Sequence, residues 1–286
     1  MTGHSAPAPP AAADFDLVIE GGRHERGYWR DLWRYRELLL FLAWRDLLVR
    51  YKQTVLGVAW SVLRPLATMA VFTFVFSRVA GLPSEEGVPY PILVYAAMLP
   101  WNLFAGAMSD SSNSVVGSSA IVSKVYFPRL IIPASTVLVN VVDFLISLAV
   151  LLGLMLALGF VPSWRMVLLP LFVVPALLGA LGLGMTLAAL NVRFRDVRVL
   201  IPFITQFGLY LSPVGFSSNV VPEAWRGLYA LNPMVGVIDG FRWAILGDRV
   251  SMNWPGFVLA CGVVTALFGL GLWVFRRTER QFADVI

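Results

Sequence analysis

Few residues in this chain can do chemistry, and most of those few lie in or beside apolar sequence. Asp143 sits near the middle of the run from Leu130 to Val161, three residues after Asn140. Arg64 interrupts an apolar run from Thr54 to Ser77, and Asp110 closes the run from Val88 to Ser109. A charge at the centre of a bilayer costs at least about 2.5–3.5 kcal/mol on insertion scales, so an ionisable group at such depth is a functional candidate. Two readings compete for these residues. One is a pair or relay among Arg64, Asp110 and Asp143; the plainer one is a structural salt bridge or polar contact inside a helical bundle. A proton-coupled carrier would call for more carboxylates at depth, which weighs against secondary transport.

Other chemistries find still less to work with. The histidines are His4 and His24, adjacent acids occur at Glu85-Glu86, and the single cysteine, Cys261, lies in an apolar run where it can form no internal disulfide. A membrane transferase would need a carboxylate, histidine or nucleophile cluster near one interface, so an enzyme is not expected, nor a metal or other cofactor held by this chain. A phosphate-binding loop needs Gly-Lys-Ser/Thr opening a helix. The lysines here, Lys52 and Lys124, follow Tyr51 and Ser123. If transport is driven by ATP, a partner subunit must hold the ATP and its Mg.

The elements that position these residues are legible in the composition. The chain of 286 residues is 58% hydrophobic and only 14% charged, against about 25% charged in a soluble domain. Six runs, free of charge apart from Arg64 in the first and Asp143 in the third, read as spans: 54–77, 88–109, 130–161, 166–192, 199–216 (slightly short) and 254–275. Residues 1–28 read as a disordered arm without the apolar core of a cleavable signal; within it, Asp14 to Glu20 can be a short strand or a docking segment. Residues 29–53 read as an interface helix. Leu40, Trp44, Leu47, Leu48 and Tyr51 share one face, and Arg45, Asp46, Arg50 and Lys52 the other. Such a helix suits the headgroup layer. The expected fold is thus an all-α membrane protein with six transmembrane helices behind an N-terminal amphipathic interface helix.

Six spans put both termini on one side. That side carries sixteen of the 22 basic residues, the other side five, and Arg64 lies within a span. By the positive-inside bias the termini are cytoplasmic. The net charge of +5 is then a signal of topology, and nucleic acid is not an expected partner.

Two connections are more than turns. Residues 110–129 are Ser/Asn-rich, then apolar and basic up to Pro128; they suit a small helix offered to a cytoplasmic partner or an ordinary loop. Residues 217–253 are too apolar for a solvated loop and too interrupted to span. Apolar runs of about 10–14 residues suit re-entrant helices, and Asn232-Pro233 divides this one. Such backbone is tolerated at membrane depth only when buried in protein or lining a wet cavity, which favours a cap or gate over an outer mouth. The abundant aromatics, 13% of the chain, belong mostly to lipid belts and packing, though some can line a conduit and stack on sugar rings.

Several stretches together resemble one family. RDLLVRYKQTVLGVAWSVLRPL (45–66), YPILVYAAMLPWNLF (90–104), SKVYFPRLIIP (123–133), DF (143–144), NVRFRDVRVLIPFITQ (191–206), SPVGF (212–216) and LNPMVGVIDGFRWAILG (231–247) are similar, in order and spacing, to ABC-2 type permeases that export O-antigen, capsule or teichoic acid polymers. The resemblance runs from about residue 29 to the C-terminus. It implies a homodimer in the inner membrane paired with two copies of an ABC ATPase, moving a lipid-linked polysaccharide. It further implies that spans one and five face the pore, with Trp60, Arg64, Phe72, Phe207 and Tyr210 as lining candidates. The loop after span two becomes the coupling element, through Ser123, Lys124, Val125, Tyr126, Phe127 and Arg129. Residues 217–253 become re-entrant outer gate helices, with Asn232, Pro233, Phe241 and Arg242 as gate candidates. A drug or small-lipid exporter of the same superfamily is the alternative; a passive channel explains the topology but not the coupling-like loop.

Overall fold

The computed structural model describes residues 28–52, 58–122 and 124–282. The expected arm, apart from Tyr28, and its segment Asp14 to Glu20 lie outside the described residues. Every regular element among the described residues is helical: α1 (Tyr28–Arg34), α2 (Arg36–Lys52), α3 (Val58–Phe72), α4 (Tyr90–Gly117), α5 (Ser119–Val122), α6 (Ile131–Ala157), α7 (Leu169–Arg193), α8 (Val197–Leu211), α9 (Glu223–Tyr229), α10 (Pro233–Leu246) and α11 (Trp254–Thr278). A π-helical stretch, Thr73–Val79, continues α3.

Five of these helices are long and apolar enough to cross a membrane: Ala59–Val79, Tyr90–Gly117, Ile131–Ala157, Trp164–Arg193 and Trp254–Thr278. The expected fifth crossing, 199–216, is the shorter apolar helix Val197–Leu211. Its 15 residues rise about 22 Å, against a hydrocarbon layer of about 30 Å. The expected loop 110–129 begins later than composition suggests, because 110–117 extends α4. Ser111, Ser112 and Ser114 satisfy their hydroxyls on carbonyls of α4 and α6, so the polar run stays helical.

Prolines and asparagines set the helix starts. α4, α7, α10 and α11 each carry Pro at the first or second helical position, where its missing N–H has no intrahelical bond to lose. Asn232 and Asn253 cap α10 and α11 by accepting from the amides of Met234 and Gly256, each at 3.0 Å.

The centre of the bundle is α4, which packs against α3, α6, α7, α8 and α10. From Tyr90 to Met108 it is apolar nearly all round, and a helix of that kind belongs in the interior. Ile92, Leu93, Val94, Ala96 and Ala97 are fully buried. The crossing of α7 and α11 relies on missing side chains: a Cβ at Gly182 would lie 2.6 Å from the backbone of Phe268, and one at Gly271 would collide with the carbonyl of Gly182. Apolar lipid gives no hydrophobic drive to helix pairing, so close backbone approach supplies the contact.

Candidate functional site

The intramembrane acids are joined, though not by the residue that sequence suggests. α2 lies along α6, and from its last turn Arg50 donates Nη2 to Oδ2 of Asp110 at 2.7 Å and Nη1 to Asp143. Tyr51 also donates its hydroxyl to Asp143. Asn140 donates to Asp110 at 2.8 Å and to the carbonyl of Thr136 at 2.9 Å. One guanidinium thus bridges two carboxylates from two different spans, with a phenol and an amide completing their shells. Arg64, the cation in one of the two readings, makes no ion pair among the described residues and is exposed on α3.

This network also decides which face of α2 turns inward. Leu42 and Ala43 are buried and Asp46 and Arg50 half-buried, while Leu40, Phe41, Trp44 and Leu48 are exposed. The inward side is therefore mixed, Leu42 and Ala43 with Asp46 and Arg50, and Tyr51, expected on the aromatic face, also turns to Asp143 of α6, which leaves Leu40, Phe41, Trp44 and Leu48 free for the headgroup layer. Arg45 pairs with its neighbour Asp46 at 2.7 Å, a partly exposed contact worth little.

A second feature is the outward side of α3 and α8. Only 11% of the first span's window is buried. Trp60, Arg64, Phe203, Phe207 and Tyr210 are exposed and Phe72 is half-buried. Phe72 stacks on Tyr210 with ring centroids 6.5 Å apart, and Phe203 lies against Phe207 at 4.1 Å. The five lining candidates therefore fall on two helices joined by an aromatic contact.

At the end where α4 stops and α6 starts, the connecting segment is anchored at one point and exposed at the next. Phe127 is buried with Tyr28, Leu42, Val122, Phe275 and Phe282, whereas Lys124, Val125 and Tyr126 are exposed and Arg129 is half-buried. Ser123 lies outside the described residues. Tyr28 fixes α1 to the chain end by donating its hydroxyl to Glu279 at 3.1 Å. Burial, with Glu279 beside it, pushes that phenol well above the usual tyrosine range, so it stays a donor at neutral pH.

At the opposite end α10 is pinned into the bundle. Arg242 is 1% exposed and donates to three carbonyls: Phe216 at 2.8 Å, Val214 at 3.2 Å and Leu93 at 3.3 Å. Asp239, one turn earlier, accepts from Ser218 at 2.8 Å. Phe241 is fully buried against Phe144 and Phe172. Asn232 both caps α10 and donates to the carbonyl of Leu211 at 3.2 Å and to Ser212 at 3.0 Å. Of the four outer residues singled out by sequence, Asn232 and Pro233 form the break between α9 and α10, while Phe241 and Arg242 are core anchors. Among the described residues no group of three or more His, Cys, Asp and Glu side chains could hold a metal ion.

Residues 37–246, well over half of the chain, match the family model of the ABC-2 type transporter. The chain belongs to that family. This ABC-2 chain is 31% identical over 260 residues to the O-antigen export system permease protein RfbA of Myxococcus xanthus, covering 90% of this chain and 98% of that one. It is 26% identical to RfbA of Klebsiella pneumoniae, covering 87% and 95%. To the capsule polysaccharide export inner-membrane protein CtrC of Neisseria meningitidis serogroup B it is 22% identical, covering 87% and 94%.

Sequence reasoning on this ABC-2 chain named Asp110, Asn140 and Asp143 but missed Arg50 as their partner. A usable signal was present: two acids in apolar helices need a cation, and Arg50 is the last arginine of the interface helix. Its face on α2 is polar whether it meets water or a carboxylate, so periodicity alone could not assign it.

Proposed function

We propose that this chain is the conduit-forming subunit of an ATP-driven exporter of a lipid-linked polysaccharide, acting as a homodimer with two copies of an ATPase. The observation that carries the reading is the unpartnered side of α3 and α8. It is aromatic, α3 is the least buried of the five spanning helices, and Arg64 sits within that helix away from its ends. Lipid tails leave a guanidinium unsatisfied, whereas a wet conduit between two protomers solvates it. Aromatic faces present broad, weakly directional surfaces to passing sugar rings, which suits a repeating polymer that must move on. The relatives named for O-antigen and capsule export supply the substrate class.

In this reading α8 completes a sixth crossing, both termini are cytoplasmic, and α9 and α10 form a re-entrant outer gate whose position Arg242 holds. The segment 118–130 seats on the ATPase through Lys124, Val125, Tyr126 and Arg129, anchored by Phe127. Closure of the ATPase on ATP and Mg moves this lever, and rigid-body shifts of the spans open the conduit. Deletion of the gene tests the proposal: surface polysaccharide disappears, lipid-linked polymer accumulates inside, and drug tolerance is unchanged. Intact surface glycan with altered drug or lipid tolerance would assign the chain to small-molecule export instead.

A further inference from the structure

A cavity of about 810 Å³ opens at the end of the bundle that holds Tyr28, between α1, the segment 125–129 and the last turns of α11. Its floor and rim carry Arg129, Arg276 and Arg277. None of the three makes an ion pair among the described residues. Each is held over a ring instead: Arg276 over Tyr28 at 4.2 Å, Arg277 over Trp273 at 5.4 Å and Arg129 over Phe282 at 6.0 Å. Two acids, Asp31 and Glu279, also line the cavity, so three arginines against two carboxylates leave its lining with a formal surplus of one positive charge. The cavity climbs α11 as far as Gly269, where a Cβ would meet nothing within 4 Å. From Glu279 to Gly269 the helix rises about 15 Å.

We propose that this cavity is a binding site for an anionic phospholipid of the leaflet on that side. The phosphate sits against the guanidiniums of Arg276 and Arg277, whose planar forks match phosphate oxygens. Trp273 lies at headgroup depth, as interfacial tryptophans do, and an acyl chain runs along the open helix face at Gly269. A soluble protein cannot fill the upper half, because Gly269 and Leu272 belong to an apolar run long enough to span. The polyprenyl anchor of a transported polymer carries phosphate too. However, the cavity is built on α11, which packs on α7 and α10, whereas the proposed conduit side belongs to α3 and α8. The site rests on the proposed crossing of α11 and not on the conduit.

Native mass spectrometry of the full-length chain, released from detergent with added lipid, tests this without reference to transport. Phosphatidylglycerol is expected to give one retained adduct per chain, phosphatidylethanolamine far less. Arg276→Gln with Arg277→Gln is expected to lower occupancy about fivefold for each charge removed. Gly269→Leu, which projects a side chain into the upper end of the cavity and keeps every charge, is expected to lower it as well. Thermal unfolding establishes that each variant is folded, and Gly269→Leu carries the test if the arginine variant is not. Equal retention of the two lipids overturns the proposal, as does unchanged occupancy in a folded variant. Displacement of phosphatidylglycerol by equimolar polyprenyl phosphate would give the site to the carrier lipid, and loss of a co-purifying ATPase with adducts intact would give it to that partner; either result overturns it too.

Discussion

Arg50 and Asp110, sixty residues apart in the chain, form an ion pair at 2.7 Å that fastens the interface helix to the most buried span. The same guanidinium reaches Asp143 on α6. Replacing Arg50 by Gln leaves two carboxylates facing each other without a cation. Burying an unpaired charge is costly, but these groups are about one-third exposed, so the expected loss is about 1–2 kcal/mol rather than the larger value of a fully buried pair. Thermal unfolding in detergent checks it. Adding Asp110→Asn and Asp143→Asn to Arg50→Gln should restore part of the loss, and a triple variant no better than the single would show that the charges are not coupled.

Arg242 is expected to matter through geometry as well as charge. Its fork satisfies carbonyls of α4 and of the chain between α8 and α9, which a lysine ammonium on a flexible stem cannot reach together. Arg242→Lys should destabilise the protein by about 1–3 kcal/mol, the scale of one or two lost charged hydrogen bonds. Limited proteolysis should then cut first in 217–232, the stretch released from its anchor.

The helix crossing at Gly182 and Gly271 makes a sharper steric prediction. Gly271→Ala drives a methyl into the carbonyl of Gly182 and should cost about 1–3 kcal/mol by overpacking. Gly153→Ala and Gly262→Ala, where a Cβ meets nothing within 4 Å, should be neutral or slightly stabilising. Melting temperatures of the three variants, measured side by side, give the comparison.

The connecting segment separates two roles in neighbouring residues. Phe127→Ala empties a buried position and should lower stability by about 3–5 kcal/mol. Lys124→Ala, at an exposed position, should leave the melting temperature unchanged while reducing co-purification of the ATPase and polymer export. Equal stability losses in both would contradict the assignment of Lys124 to the docking surface.

Much of this was readable from the residues. Long apolar runs fix the spanning helices, because hydrocarbon admits little but helix, and the Asn-Pro pair at 232–233 fixes the break before α10. What escaped was tertiary. The helical continuation through Ser111, Ser112 and Ser114 depends on carbonyls that accept their hydroxyls, and composition alone reads such a run as loop. Arg242 reads as an outer-loop charge until three carbonyls from other elements are seen to surround it. The aromatic residues of α3 and α8 were named through resemblance; only their packing, Phe72 on Tyr210, sets them side by side.

The central claim is that the α3–α8 side lines a water-filled path rather than facing lipid. Cys261 is the single native cysteine, so a Cys261→Ser background gives clean labelling. Cysteines placed at Arg64, Phe207 and Tyr210, with one at the exposed Val258 of α11 as the lipid-facing control, are treated in the assembled exporter with a charged, membrane-impermeant maleimide. The account predicts labelling at the first three during ATP turnover and none at Val258. Labelling absent from all three under turnover, or no stronger than at Val258, would contradict it.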